Sequence, residues 1–304
     1  MSLTLAVAAD GALSLPDPDG HWSVPVDSVR LSRLPVVQGA IEIRGAGVLF
    51  FEPSEITAIR TDVFQSGQFS VFDVLVHLAD EGLIDLAYAF DEELQTYVIE
   101  SLNGLEGWWY DAHYEGGSFD RTVVRMDHFP VKDGMSIIVY LEDPERMAAI
   151  RGHFREEVTR RDANGGAVVV PTVTLRTSTD TLILENVQVS AHDVRSDVLQ
   201  LGLVTMLDVL LSLGEQGLLD ELGLEWRVEE ETIEIVDGYY VVSIAAGEFS
   251  PEMTGACVLT HQIGGATIQD HLSPHTHTMS HIHLTADLEV LVSPESVEWL
   301  WVCL

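Results

Sequence analysis

Residues 60–85 (RTDVFQSGQFSVFDVLVHLADEGLID) align without a gap on residues 195–220 (RSDVLQLGLVTMLDVLLSLGEQGLLD), and 12 of the 26 positions are identical. Unrelated segments of average composition would share roughly one or two. The chain therefore carries one unit written twice, and its fold must accommodate that unit two times. A length of 304 residues suits this, since domains commonly run to about 100–200 residues. A hydrophobic fraction of 46% lets each unit bury an ordinary core.

Both copies read as a helix with marked ends. Ser70-x-x-Asp73 and Thr205-x-x-Asp208 fit the capping box, and Gly82 and Gly217 supply the left-handed residue that stops a helix. Between these signals Val71, Val74, Leu75 and Leu78 recur at helical spacing, as do Met206, Val209, Leu210 and Leu213. His77 falls on the polar side with Asp73 and Asp80 and reads as a solvated histidine.

Beyond the helices the copies stay in step. Tyr97-Val98-Ile99 matches Tyr240-Val241-Val242, and Gly107-x5-His113-x2-Gly116-Gly117 matches Gly255-x5-His261-x2-Gly264-Gly265. After a segment read as shorter in the second copy, Asp127-His128 is matched with Asp270-His271, and Met135-Ser136 with Met279-Ser280. Residues Val36 to Phe51 and Val168 to Val189 show the alternation and β-branched content of half-buried antiparallel strands. The charged stretch from Pro144 to Gly166 reads as a connection, a short helix and then a turn. The expected organisation is an N-terminal extension over 1–35, a first domain over 36–145, a linker over 146–166 and a second domain over 167–304.

The first copy resembles a known family. Ser101-Leu102-Asn103-Gly104, Gly107-Trp108-Trp109-Tyr110 and Lys132-Asp133-Gly134-Met135-Ser136-Ile137, in that order behind a capped helix, are similar to the motifs of the transcobalamin C-terminal-like domain, DUF4430. The resemblance covers about residues 69–141. It implies an α+β fold of two repeated β-grasp-like domains with additional antiparallel strands, and an extracellular, cell-surface or periplasmic location. In transcobalamin relatives such a domain contributes to corrin binding. Met135 replaces the second Asp of the family's Asp-Gly-Asp, and the second copy lacks both the tryptophan pair and the Asp-Gly turn. The resemblance thus carries the fold and not corrin binding.

Charge narrows the partners. With 49 acidic residues against 15 basic ones and a net charge of −34, the chain has no basic footprint for nucleic acid or anionic membranes. Such an excess fits either adaptation to high salt, where screening relieves self-repulsion, or a merely acidic protein. No apolar run is long enough for a transmembrane helix, and the opening residues lack the basic region of a signal peptide. Cys257 and Cys303 show no CxxC spacing, which leaves a single disulfide open and suggests no cysteine zinc site. Nucleotide-binding, hydrolase, zincin and covalent-haem motifs are absent from the sequence.

Histidine placement carries the chemistry. Six of the 12 histidines fall between positions 261 and 283, centred on His275-Thr276-His277-Thr278-Met279-Ser280-His281-Ile282-His283. In an extended segment, alternate residues share a face, so these five ligand-type side chains would project together. Nine residues span roughly 30 Å at most, so one ion would draw on a subset. The match of Met135-Ser136 with Met279-Ser280 places His281 and His283 on a last strand over Ile137 and Val139. The candidate metal ligands are His261, His271, His275, His277, Met279, His281 and His283, with His113 and His128 as a weaker second site. Copper suits imidazole with thioether, zinc suits an all-histidine set, and a bis-histidine haem b is the third option.

The functional expectation is a non-enzymatic metal-binding protein for storage, transfer or redox relay. Its rival is a structural or adhesive module that self-assembles, or holds a protein partner, through strand edges, the aromatic segment around Trp108 or the apolar tail Trp299-Leu300-Trp301-Val302-Cys303-Leu304. A third reading is an enzyme with a histidine-held metal and an open coordination position.

Overall fold

In a computed structural model, residues 39–114, 123–132, 135–227, 238–251, 257–265 and 284–303 are described. The expected N-terminal extension lies outside them. The fold is mixed α+β: among the described residues there are three α-helices and twelve strands in four small sheets.

The first half begins with the hairpin β1 (Gly39–Ile43) and β2 (Gly47–Phe51), then α1 (Val71–Asp80) and a second hairpin, β3 (Leu86–Asp91) and β4 (Thr96–Leu102). It ends with β5 (Trp108–Tyr114) and β6 (Met135–Leu141). Strand β6 lies between β5 and β1, antiparallel to the former and parallel to the latter, so the sheet order is β2-β1-β6-β5. The second half runs β7 (Val168–Arg176), β8 (Thr181–Val189), α3 (Met206–Glu215), β9 (Glu221–Arg227), β10 (Gly238–Ala245), β11 (Cys257–Gly264) and β12 (Ser296–Cys303). Its sheet, β8-β7-β12-β11, has the same order and the same central parallel pair.

Local chemistry accounts for both helix ends. The Ser70 N–H donates to Asp73 Oδ2 at 2.7 Å, and the Thr205 N–H to Asp208 Oδ2 at 2.6 Å. At the other end Gly82 (φ 70°) and Gly217 (φ 69°) adopt the left-handed conformation. The following N–H groups of Leu83 and Leu218 then reach back to the carbonyls of Leu78 and Leu213, which closes each last turn. The apolar stripes are fully buried, but Asp73 and Phe72 are buried as well. The expected polar side thus reduces to half-buried His77 and the end of the helix, because the capping carboxylate turns inward.

Between the halves stands α2 (Pro144–Ala163), capped by Asp143, whose Oδ1 accepts from the N–H groups of Glu145 and Arg146. It is twenty residues long, not the short linker helix expected. Its buried Met147, Ile150, Phe154 and Val158 recur at helical spacing. The tilted Trp109–Phe154 ring pair, at 6.2 Å, ties it to the first half, and the Arg160 guanidinium donates to the Ser293 carbonyl of the second. The halves also meet directly through the repeated motif. The Gln65 N–H donates to the Val198 carbonyl and the Gln200 N–H to the Val63 carbonyl, both at 2.9 Å. The Gln65 and Gln200 side chains donate to the Leu199 and Phe64 carbonyls at 3.0 and 2.9 Å. This reciprocity is the signature of a local two-fold relation.

The register corrects the sequence alignment of the C-terminal part. Ile137 and Val139 pair with Ile41 and Ile43, whereas the matching parallel pair in the second sheet puts Val297 and Trp299 against Val173 and Leu175. The counterparts of Ile137 and Val139 are therefore apolar, and are not His281 and His283. Likewise the bridges Ser70↔Pro130 and Thr205↔Val290 make Asp287 the counterpart of Asp127, and Leu288 that of His128. The connection between the outer strand and this point is longer in the second half, 266–283 against 115–122. No helix among the described residues is long and apolar enough to cross a membrane.

Candidate functional site

Each half holds a buried arginine centre at the heart of the repeated motif. In the first, Arg60 donates through Nε and Nη2 to Asp62, both at 2.8 Å, and through Nη1 to Asp127 Oδ2 at 2.6 Å. Asp127, 0% exposed, also accepts from the Tyr97 N–H at 3.0 Å and from the Thr96 hydroxyl. In the second, Arg195 reaches Asp197 at 3.0 and 3.2 Å and Asp287 at 3.1 Å, and the Tyr239 N–H donates to Asp287 at 3.0 Å. The guanidinium carbons lie 5.5 Å from the Phe90 ring and 5.2 Å from the Trp226 ring. Buried charges persist only when paired and hydrogen-bonded, and this fork meets that need twice. The carboxylates bind the arginine and the N–H of the neighbouring hairpin, which suits a structural role.

His128 belongs to this centre. It is 5% exposed and its Nε2 lies 3.0 Å from Arg60 Nη1, which requires that nitrogen to accept. Burial, opposed by Asp127 and reinforced by Arg125 and Arg60, depresses its pKa to about 4. The imidazole is neutral and faces a guanidinium, a setting hostile to a second cation. His113 lies on β5 opposite Ser136, and its side chain is outside the described residues. Among the described residues no group of three or more metal-ligating side chains converges.

A second buried network joins α2 to the first half. Arg125 Nη1 meets Glu157 Oε2 at 2.5 Å and its guanidinium stacks 4.1 Å from the Phe154 ring, while His153 Nε2 lies 3.4 Å from Glu157 Oε1. Burial raises the Glu157 pKa, but Arg125 and His153 outweigh it and hold the carboxyl down at about 2. In the second half, His192 sits between Asp208 at 2.9 Å and Glu215 at 3.3 Å. Burial lowers its pKa, and these carboxylates more than offset that, so the pKa is raised. His192 did not stand out in the sequence because packing brings it to Asp208 and Glu215, whereas His153 meets Glu157 one turn along the same helix.

Of the candidate metal ligands, His261 is described together with its side chain. It stands on β11, with Nε2 2.8 Å from Glu289 Oε2 and its ring 5.2 Å from that of Trp299. His271, His275, His277, Met279, His281 and His283 lie outside the described residues, all within the 266–283 connection. Trp108, Trp109 and Tyr110 are core residues: Trp108 Nε1 donates to the Leu105 carbonyl and the Tyr110 hydroxyl to the Val124 carbonyl, each at 2.9 Å. Of the apolar tail, Trp299, Leu300 and Trp301 lie in β12 and are buried. Comparison of the chain with family models, curated proteins and solved structures finds no match.

Proposed function

We propose that this chain is a non-enzymatic metal-binding protein, built from two β-grasp-like units of the transcobalamin C-terminal-like kind, whose second unit carries a copper or zinc site in the 266–283 connection. One observation carries the reading. Where the first unit joins its outer strand to the buried aspartate turn through residues 115–122, without a histidine, the second uses 266–283 and places five there. Both sheets close with the same strand order, so the added length is not needed for the fold. Imidazoles in such density match the ligand preference of copper and zinc. His261 is the member anchored on a strand. Glu289 engages its Nε2 at 2.8 Å, as outer carboxylates do for metal-bound histidines, which leaves Nδ1 as the ligand nitrogen.

The test is equilibrium dialysis of the full chain against Cu(II) and Zn(II), followed by metal analysis. The variants are His275→Ala/His277→Ala, His281→Ala/His283→Ala and a His77→Ala control, with folding followed by circular dichroism. The cluster variants should lose bound metal with the fold intact, and wild-type binding should weaken as pH falls through about 6.5, where imidazoles protonate. Unchanged stoichiometry in both cluster variants, or no binding by the wild type, defeats the reading. A Soret band after addition of haemin would redirect it to haem b. Self-assembly is the second reading, favoured by edge strands β2 and β8, where Val48, Phe50 and Ile183 are 55%, 63% and 59% exposed. Sedimentation of Phe50→Lys against wild type distinguishes it.

A further inference from the structure

The chain has two cysteines, and the second sheet sets them face to face. Strands β11 and β12 pair antiparallel in unbroken register from Gly264↔Ser296 to Cys257↔Cys303. We infer that Cys257 and Cys303, directly opposed across these strands, are a redox site that closes to a single disulfide.

Directly opposed residues of an antiparallel pair have Cα atoms about 4.5–5.5 Å apart, inside the range of roughly 4.4–6.8 Å that a disulfide spans. Register partners also share a face of the sheet. Nothing in the sequence spacing announces this. The first sheet has no counterpart: aligning Trp108↔Leu141 with Leu259↔Trp301 puts Glu106 and Asp143 at these two positions. Asp143 caps α2 there.

The reaction balances by thiol–disulfide exchange with a low-molecular-weight disulfide such as oxidised glutathione. One cysteine thiolate attacks the glutathione disulfide and expels one glutathione thiolate. The other cysteine then attacks the resulting mixed disulfide at the protein sulfur and expels the second. Two protein thiols and one small disulfide become one protein disulfide and two small thiols. The closed ring, residues 257–303, contains the whole 266–283 connection and ties the outer strand β11 to the central β12. The inference does not rest on the metal reading, and metal-free protein tests it.

Cyanogen bromide mapping provides the test. Cleavage after Met253 and Met279 yields peptides 254–279 and 280–304, each with one cysteine. The native full chain is equilibrated with oxidised glutathione, then denatured, alkylated and cleaved. The two peptides should migrate as one species without reductant and separate with it, and the intact chain should show no free thiol. Cys257→Ser and Cys303→Ser should each stop at the glutathione adduct of the remaining cysteine and give separate peptides. Reduction of the wild type should lower Tm by on the order of 5–10 °C. Two alkylated thiols in the folded wild type, a glutathione adduct on each cysteine, or a disulfide between two chains would overturn the inference.

Discussion

The two arginine centres differ in the side chains around the distant aspartate. Around Asp127 stand Thr96 and His128, and around Asp287 stand Gly238 and Leu288. What both keep is the arginine, the aspartate two residues after it, the buried distant aspartate and the hairpin N–H aimed at that aspartate. The retained set is the minimum that satisfies a buried guanidinium and locks the second hairpin to the loop before the helix. The exchanged pair is an accessory: where it is apolar, Asp287 Oδ1 has no hydrogen-bond partner among the described residues. Gly238 and Leu288 offer neither the hydroxyl nor the imidazole of the first unit, so the first carries a pH-sensitive neighbour that the second does not have at this place.

The sharpest way to break this comparison is to remove the distant carboxylate. Asp127→Ala and Asp287→Ala should each cost about 3–5 kcal/mol, because a buried arginine is left without its counter-charge. Urea denaturation checks this, and a cost under about 1 kcal/mol in the second unit would show that the centres are not equivalent. Next comes acidity. The folded His128 pKa of about 4 lies below its ordinary 6.5, so the unfolded chain takes up the proton first. Its contribution to stability is therefore constant above pH 6.5 and falls by about 3 kcal/mol as pH drops toward 4. His128→Leu, the residue of the second unit, should flatten the stability–pH curve in that window. His192 has a raised pKa. Its stabilisation is complete below 6.5 and is lost as pH rises through the folded value, so His192→Gln should flatten the curve on the alkaline side instead.

A smaller effect tests the accessory pair. A β-carbon at Gly238 would meet Thr285 Cγ2 at 2.8 Å and Asp287 Oδ1 at 3.1 Å. Gly238→Thr alone should destabilise by about 1–3 kcal/mol through overpacking. Gly238→Thr/Thr285→Ala should recover most of this, since the new hydroxyl can give Oδ1 the bond that Thr96 gives Asp127. If the double variant is no better than the single, the hydroxyl has no worth there. The least effect belongs to the reciprocal contact between the halves. Gln65→Ala and Gln200→Ala each remove one side-chain bond to a carbonyl across it and should cost about 1 kcal/mol apiece, in equal measure. Clearly unequal losses would argue against the two-fold relation.

What was legible in the sequence was what depends on neighbours in the chain. The repeat from 60 to 85 and from 195 to 220, the two capping boxes and the two left-handed glycines are satisfied by bonds that span three to five residues. The strand character around 39–51 and 168–189 also followed from alternation. Helix α2 was half legible: the charged stretch reads as a short connecting helix and a turn, yet Arg146, His153 and Glu157 inside it are buried. They are buried because Glu142, Arg125 and each other meet them from elements distant in sequence or across one helical turn.

The C-terminal alignment failed for a related reason. Asp-His and Met-Ser are two-residue coincidences, and nothing local distinguishes Asp270 from Asp287. The choice is made by Arg195 and the Tyr239 N–H, which need a carboxylate at one point in space. The sequence by itself thus determined the repeat, its charge and its helix signals, because these rest on short-range bonds and on composition. Tertiary structure alone decided which aspartate completes each fork, which strand lies beside β7 and that Cys257 faces Cys303. Those pairings close chain loops of dozens of residues, and their stabilisation exists only once a distant segment has come into register.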